Sequence, residues 1–163
     1  MARLAELFRR HPAWVSAARS IADEATSRVY FTHRPGEAWR LEKRGGETLL
    51  LPGAGADPDF CFRFSPGAIE RLAAVGGGIG DFAVELLGLV VETDPALHVD
   101  LRIAAPFERL ARRGYLGLLL RGGPRVLAFG AARGVRSLFA LRRVVVGMVD
   151  HAPAPWESDG PEA

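Results

Sequence analysis

Residues 56–72 read Ala56-Asp57-Pro58-Asp59-Phe60-Cys61-Phe62-Arg63-Phe64-Ser65-Pro66-Gly67-Ala68-Ile69-Glu70-Arg71-Leu72, and their reading decides the fold. Phe60, Phe62 and Phe64 alternate with Asp59, Cys61 and Arg63, the period of an extended strand with an aromatic face. Ser65-Pro66 then stops the strand and opens a helix. The serine hydroxyl accepts a hydrogen bond from an unpaired amide of the first turn, and proline suits a position whose amide has no partner. A strand with an aromatic face running into a capped helix implies a sheet packed against helices.

Working outward from this stretch, the N-terminal side reads as two helices and a meander. Ala2 to Arg10 is helical and broken at His11-Pro12, where proline removes a donor and crowds the residue before it. Trp14, Ala18, Ile21, Ala22 and Ala25 recur at helical spacing. Strands are expected at Thr26–His33, Ala38–Lys43 and Glu47–Leu51, separated by Arg34-Pro35-Gly36 and Gly45-Gly46. With Phe60–Phe64 they make four strands in series, an antiparallel meander.

Beyond Val75, Gly76-Gly77-Gly78-Ile79-Gly80 ends the helix, and Asp81–Glu92 fits a helix or a buried strand equally. His98–Ile103 alternates as a fifth strand, and Pro106–Arg113 is helical. Tyr115–Leu120 and Arg125–Phe129 are short apolar runs flanked by glycines. Val135–Val149 reads as a closing amphipathic helix, although Val144-Val145-Val146 also fits a strand. The fold class expected is α+β: an antiparallel sheet of about five strands covered on one face by helices. It occupies residues 1–150 as one domain, with a disordered acidic tail at 151–163.

Composition narrows the function. Apolar residues make up 48% of the 163, enough for a sizeable core, and 25% are charged. The lone cysteine, Cys61, cannot form an internal disulfide, so a reducing, cytoplasmic setting is expected. The N-terminus lacks the apolar run of a signal peptide, and no segment reaches the roughly 20 apolar residues of a membrane span. The net charge of +2 is unevenly spread: residues 101–149 carry ten arginines against Glu108 alone, whereas residues 1–100 carry eleven basic and fourteen acidic side chains. Such a cluster suits an anionic partner or forms a solvated basic face.

Catalytic patterns are not supported. Gly78-Ile79-Gly80-Asp81-Phe82-Ala83 has the spacing of a dinucleotide-binding loop, but a helix rather than a buried strand precedes it, and Asp81 would repel the phosphates. The histidines stand at no metal-ligand spacing. His98 and Asp100 share a strand face without a third partner, Cys61 has no histidine near it, and no Gly-x-Ser-x-Gly elbow is present. No enzyme, cofactor or metal is expected.

The passage Asp57-Pro58-Asp59-Phe60-Cys61-Phe62-Arg63-Phe64-Ser65, running into Pro66–Leu72 after an N-terminal helix and a meander, resembles the sterol carrier protein 2 (SCP-2) family. The resemblance covers residues 13–75 in layout and 57–72 in detail. It implies an α+β sandwich around an apolar tunnel for lipids or acyl chains, with no chemistry done by the domain. The long stretch Gly76–Gly123 departs from the family pattern.

On this reading the ligand-lining residues are Val29, Phe31, Trp39, Leu41, Phe60, Phe62 and Phe64, with Phe82 and Leu86 from the segment that follows. The same rings could instead interdigitate with Trp14, Ile21, Ile69 and Leu72 into a dry core. Arg112, Arg113, Arg121, Arg136, Arg142 and Arg143, interleaved with bulky apolar residues, are the expected contacts to an anionic membrane surface. The alternatives are an interaction subunit, such as a homodimer, and nucleic-acid binding through residues 101–149. The latter is disfavoured because exposed stacking aromatics and a binding motif are lacking.

Overall fold

A computed structural model of the chain describes residues 2–135, 137–150 and 152–157. The chain begins with helices α1 (Ala2–Arg10) and α2 (Pro12–Ala18), separated at His11 as the proline dictates. The apolar spacing that extends to Ala25 does not continue α2. The Ser20 hydroxyl donates to the Ala17 carbonyl at 2.9 Å, the local competition that ends helices at serine. Strands β1 (Thr26–Phe31), β2 (Arg34–Arg44) and β3 (Glu47–Pro52) follow as an antiparallel meander.

Strand β4 (Phe60–Phe64) corrects the expected topology. It does not continue the meander beside β3 but lies parallel to β1 on that strand's other edge, with Val29 opposite Phe62 and Phe31 opposite Phe64. The loop between β3 and β4 carries the chain back across the sheet end. Gly53 and Gly55 have φ of 94° and 64°, in the left-handed region where a side chain would be strained. Arg28 fastens the loop by donating to the carbonyls of Ala54 and Gly55, each at 3.0 Å. The Asp59 amide then donates to the Thr26 carbonyl at 2.8 Å, starting the parallel ladder.

Ser65 caps helix α3 (Pro66–Ala73), its hydroxyl accepting from the Ala68 amide at 3.2 Å. Asp81–Glu92 resolves as helix α4 (Ile79–Val90), whose first-turn Asp81 accepts from the Gly78 amide at 3.2 Å. The glycine-rich loop therefore joins two helices. Strand β5 (Val99–Ile103) adds antiparallel to β4, completing a mixed sheet of order β3-β2-β1-β4-β5. The remainder is helical: α5 (Phe107–Arg112), α6 (Tyr115–Arg121), α7 (Gly123–Ala131) and α8 (Leu138–Met148). The valine run lies within α8, capped by Ser137, which accepts from the Ala140 amide at 3.1 Å. The α+β class and the five strands stand as expected; the sheet is mixed rather than antiparallel.

One sheet face meets the helices. Val29, Phe31, Leu41, Phe64 and Val99 are buried there with Leu4, Leu7 and Phe8 of α1, Ile69 and Leu72 of α3, and Phe82 and Leu89 of α4. The opposite face carries Arg28, Tyr30, Arg40, Cys61, Arg63, Asp100 and Arg102. A 3-10 turn, Pro155–Glu157, lies against it. Part of the segment expected to be a disordered tail is thus docked on the sheet, drawn by Trp156 and Glu157; residues 158–163 of that expectation lie outside the described residues.

Candidate functional site

The three β4 rings run down the helix-facing side as a ladder, with centroids 5.9 Å apart for Phe60 and Phe62 and 5.6 Å for Phe62 and Phe64. They do not share one environment. Phe64 is buried in the main core beside Ile69 and Leu72, so that end is packed as the dry-core arrangement would have it. Phe60 belongs to a second, smaller cluster with Ile103, Ala105 and Leu110, joined by Tyr115 of α6 and Val145 and Val149 at the end of α8. Its ring meets that of Tyr115 edge-on at 4.9 Å. Phe62 stands between, half-buried, beside Leu101, its register partner on β5, which is also half-buried.

Of the other residues read as lining, Val29, Phe31, Leu41 and Phe82 are buried, while Trp39 and Leu86 are half-buried against the same core. The sequence thus located an apolar face. Two cavities of the structure lie away from the ring ladder, and of the expected lining residues only Leu41 borders one of them, the smaller. One of about 410 Å³ is bounded by polar side chains including Asp23, Glu24, Arg40 and Arg44. A smaller one of about 40 Å³ is lined by Trp14, Ser27, Thr48 and Tyr115 among others. The latter has room for about one water, and the buried Trp14 indole Nε1 lacks a partner among the described residues.

The arginines read as surface contacts divide. Arg112, Arg121, Arg142 and Arg143 are exposed, and Arg136 lies outside the described residues. Arg142 pairs with Glu108 at 2.9 Å and approaches the Phe107 ring, at 5.8 Å from its centroid. Arg113 points inward instead, a correction to its expected role. Its Nη1 donates to Oδ1 of Asp59 at 2.7 Å, and Asp59 is fully buried. An acidic residue without solvent needs paired donors, and Asp59 gathers them from α5, with its C-terminal cap, and from α6. Arg109 adds an ion pair at 3.1 Å, and the Tyr115 hydroxyl donates to Oδ2 at 3.1 Å. The Asp59 carbonyl accepts from the amides of Ala104 and Ala105 at 3.0 and 3.1 Å. Burial, with the nearby Asp59 charge, pushes the Tyr115 phenol up, so it stays a proton donor.

Helices α6 to α8 leave unusual surface. Leu120 and Leu127 are exposed, and on α8 so are Phe139, Val144, Val146 and Met148, with Phe139 84% exposed. Arg121, Arg125, Arg133, Arg142 and Arg143 are exposed among them. Helix α8 turns Val145 inward and leaves Leu141 half-buried, while Phe139, Val144, Val146 and Met148 face solvent.

On the outer face, Glu157 closes a second charged cluster that sequence reading missed. Its carboxylate is gripped by Arg102, at 2.5 Å from Nε and 2.7 Å from Nη2, with Arg28 Nη1 at 3.4 Å. Burial opposes its ionisation, yet the hydrogen bonds from Arg102 and the Ala154 amide hold its pKa below the usual carboxylate range. Beneath it Cys61 is fully buried, and desolvation together with the Glu157 charge pushes the thiol up to about 12. His98 Nε2 lies 3.3 Å from Asp100, which is itself engaged by Arg63 at 2.7 Å, so that pair belongs to an ion-pair network on this face.

Among the described residues no cluster of three metal-ligating side chains occurs, and no helix is long and apolar enough to cross a membrane. No family model matches the chain, and no curated protein matches it. A solved structure described as "UbiJ-SCP2 Ubiquinone synthesis protein" is similar over 72% of this chain and 82% of its own, with 13% identity and a TM-score of 0.43.

Proposed function

We propose that the chain is a non-enzymatic binder of an apolar small molecule of the lipid class, working at an anionic membrane surface. The observation that carries this reading is α8, a capped helix that leaves Phe139, Val144, Val146 and Met148 in solvent with Arg142 and Arg143 among them. Exposed apolar side chains in such number mark a surface that meets something else. Arginines interleaved with them complement phosphate head groups, while the apolar side chains enter the interfacial layer.

The aromatic ladder supplies the place for cargo. Phe62 and Leu101 are half-buried where the two apolar clusters adjoin, and α8 contributes Val145 and Val149 to the second cluster. A helix that moves onto a membrane would withdraw those valines and open the Phe60–Phe62 end of the ladder, while the Phe64 end stays in the core. Binding is then coupled to membrane contact by one element.

The test is co-sedimentation of purified protein with phosphatidylcholine vesicles with and without phosphatidylglycerol, together with native mass spectrometry of protein taken from cells. The expected result is pelleting that requires the anionic lipid, falls with salt and is lost in Phe139→Asp, and a lipid-sized adduct that is lost in Phe62→Asp. Pelleting indifferent to lipid charge, with no adduct and a dimer in light scattering, would replace this reading with self-association through α8.

A further inference from the structure

The outer sheet face holds a feature that lipid binding does not use. Trp156 and Glu157 sit on it through two side chains of one short turn. The carboxylate is only 2% exposed, and both oxygens are taken by guanidiniums. The indole meets Tyr30 edge-on at 5.1 Å and lies under the Arg63 guanidinium, 5.5 Å from its ring centroid. We propose that this face is a binding site for acidic aromatic peptide segments, closed in cis by the chain's own Trp156–Glu157.

The receiving groups are held independently of their occupant. Arg28 is fixed by the carbonyls of Ala54 and Gly55, and Arg102 Nη1 donates to the Asp150 carbonyl at 2.6 Å. Tyr30 and Arg63 project from strands whose ladders are complete without the turn. A site whose donors are already in place loses little order on binding, which is what distinguishes a receptor surface from a tail that happens to fold back. Arginine presents two parallel donors to a carboxylate, so the anion is read by shape as well as charge. The neighbouring aromatic slot requires a ring next to that acid in the ligand.

The occupant is a three-residue turn at the end of the described chain, a class of segment that opens at low free energy without unfolding the rest. Its tether gives it a high local concentration, so the site is closed at rest, and a partner segment must displace it. Opening would also uncover Cys61, whose Sγ lies 3.1 Å from Arg102 Nη2.

The experiment uses the full chain carrying Trp156→Ala and Glu157→Gln, which vacates the site, and a fluorescein-labelled peptide of residues 152–160 as probe. Anisotropy should show the peptide binding the vacated variant roughly tenfold or more tightly than the wild type, whose site is occupied. Adding Arg102→Ala to the vacated variant should abolish binding. No binding by a vacated variant with an unchanged circular dichroism spectrum would overturn the proposal. Equal binding of a peptide that keeps its acids but has alanine for tryptophan would also overturn it, since that is salt attraction alone. Iodoacetamide labelling of Cys61 gives a second readout, expected to quicken severalfold when the site is vacated; an unchanged rate would count against closure in cis. If the double variant fails to fold, Glu157→Gln alone carries the same measurements.

Discussion

Asp59 ties several elements of the architecture together through one residue. Its side chain joins β4 to α5 and α6 through Arg109, Arg113 and Tyr115, and its backbone pairs with Thr26 and with residues just past β5. Removing the carboxylate takes the carboxylate partner from the half-buried Arg113 and one of two from Arg109, and leaves the Tyr115 hydroxyl without its acceptor, so Asp59→Ala should cost about 3 kcal/mol in urea denaturation. Asp59→Asn, which still accepts from Tyr115, should cost less. Glu157 makes a pH-dependent counterpart. Its carboxyl is held below its ordinary pKa, so its contribution is present above the usual carboxylate range and lost as pH falls through the depressed value. The emission contributed by Trp156, taken as the difference between wild type and Trp156→Phe, should therefore stay that of a docked indole through mildly acidic pH and shift to that of a solvated indole only once the pH falls below the ordinary glutamate range. Neither residue could be recognised from sequence as a hub. Asp59 looks like a strand flank because its cationic partners stand about 50 positions away, and Glu157 sits in a stretch whose composition reads as solvated.

At the scale of elements, local signals were legible and their assembly was not. The Phe60–Phe64 alternation and the Ser65 cap are written in adjacent residues, and both stand in the structure. Ser65→Ala should accordingly cost about 1 kcal/mol of stability. Which edge β4 would choose is not encoded locally: it depends on Arg28 holding the loop carbonyls and on the acceptor at Thr26. Alternation likewise showed which face is aromatic without showing that its rings divide between two clusters. The interleaving of arginines with apolar residues at 135–149 was visible; that the helix would keep so many of them outside was not, since that depends on what packs beside it. Phe139→Asp and Val146→Asp should leave the thermal midpoint within about 2 °C of wild type, because exposed side chains contribute little to folding. Both should abolish vesicle pelleting.

For the whole molecule, charge is segregated by position. The helical region from Phe107 onward bears the basic excess, while the sheet's outer arginines are largely neutralised in place by Glu42, Asp100 and Glu157. Raising salt from 0.1 to 1 M shortens the screening length from about 10 to about 3 Å. It should reduce vesicle association severalfold, with a much smaller effect on the folding midpoint.

The parallel pairing of β1 with β4 has a consequence for how the chain is made. Until residue 64 has emerged, Thr26–Phe31 has one unsatisfied edge flanked by Val29, Tyr30 and Phe31, and the strand that covers it comes from beyond two hairpin turns and a long loop. Non-local pairing of this kind delays closure and exposes apolar edges to other chains. A nascent chain halted at residue 55 should aggregate in light scattering, whereas one extended through residue 115, with β5 and the Asp59 partners included, should remain dispersed.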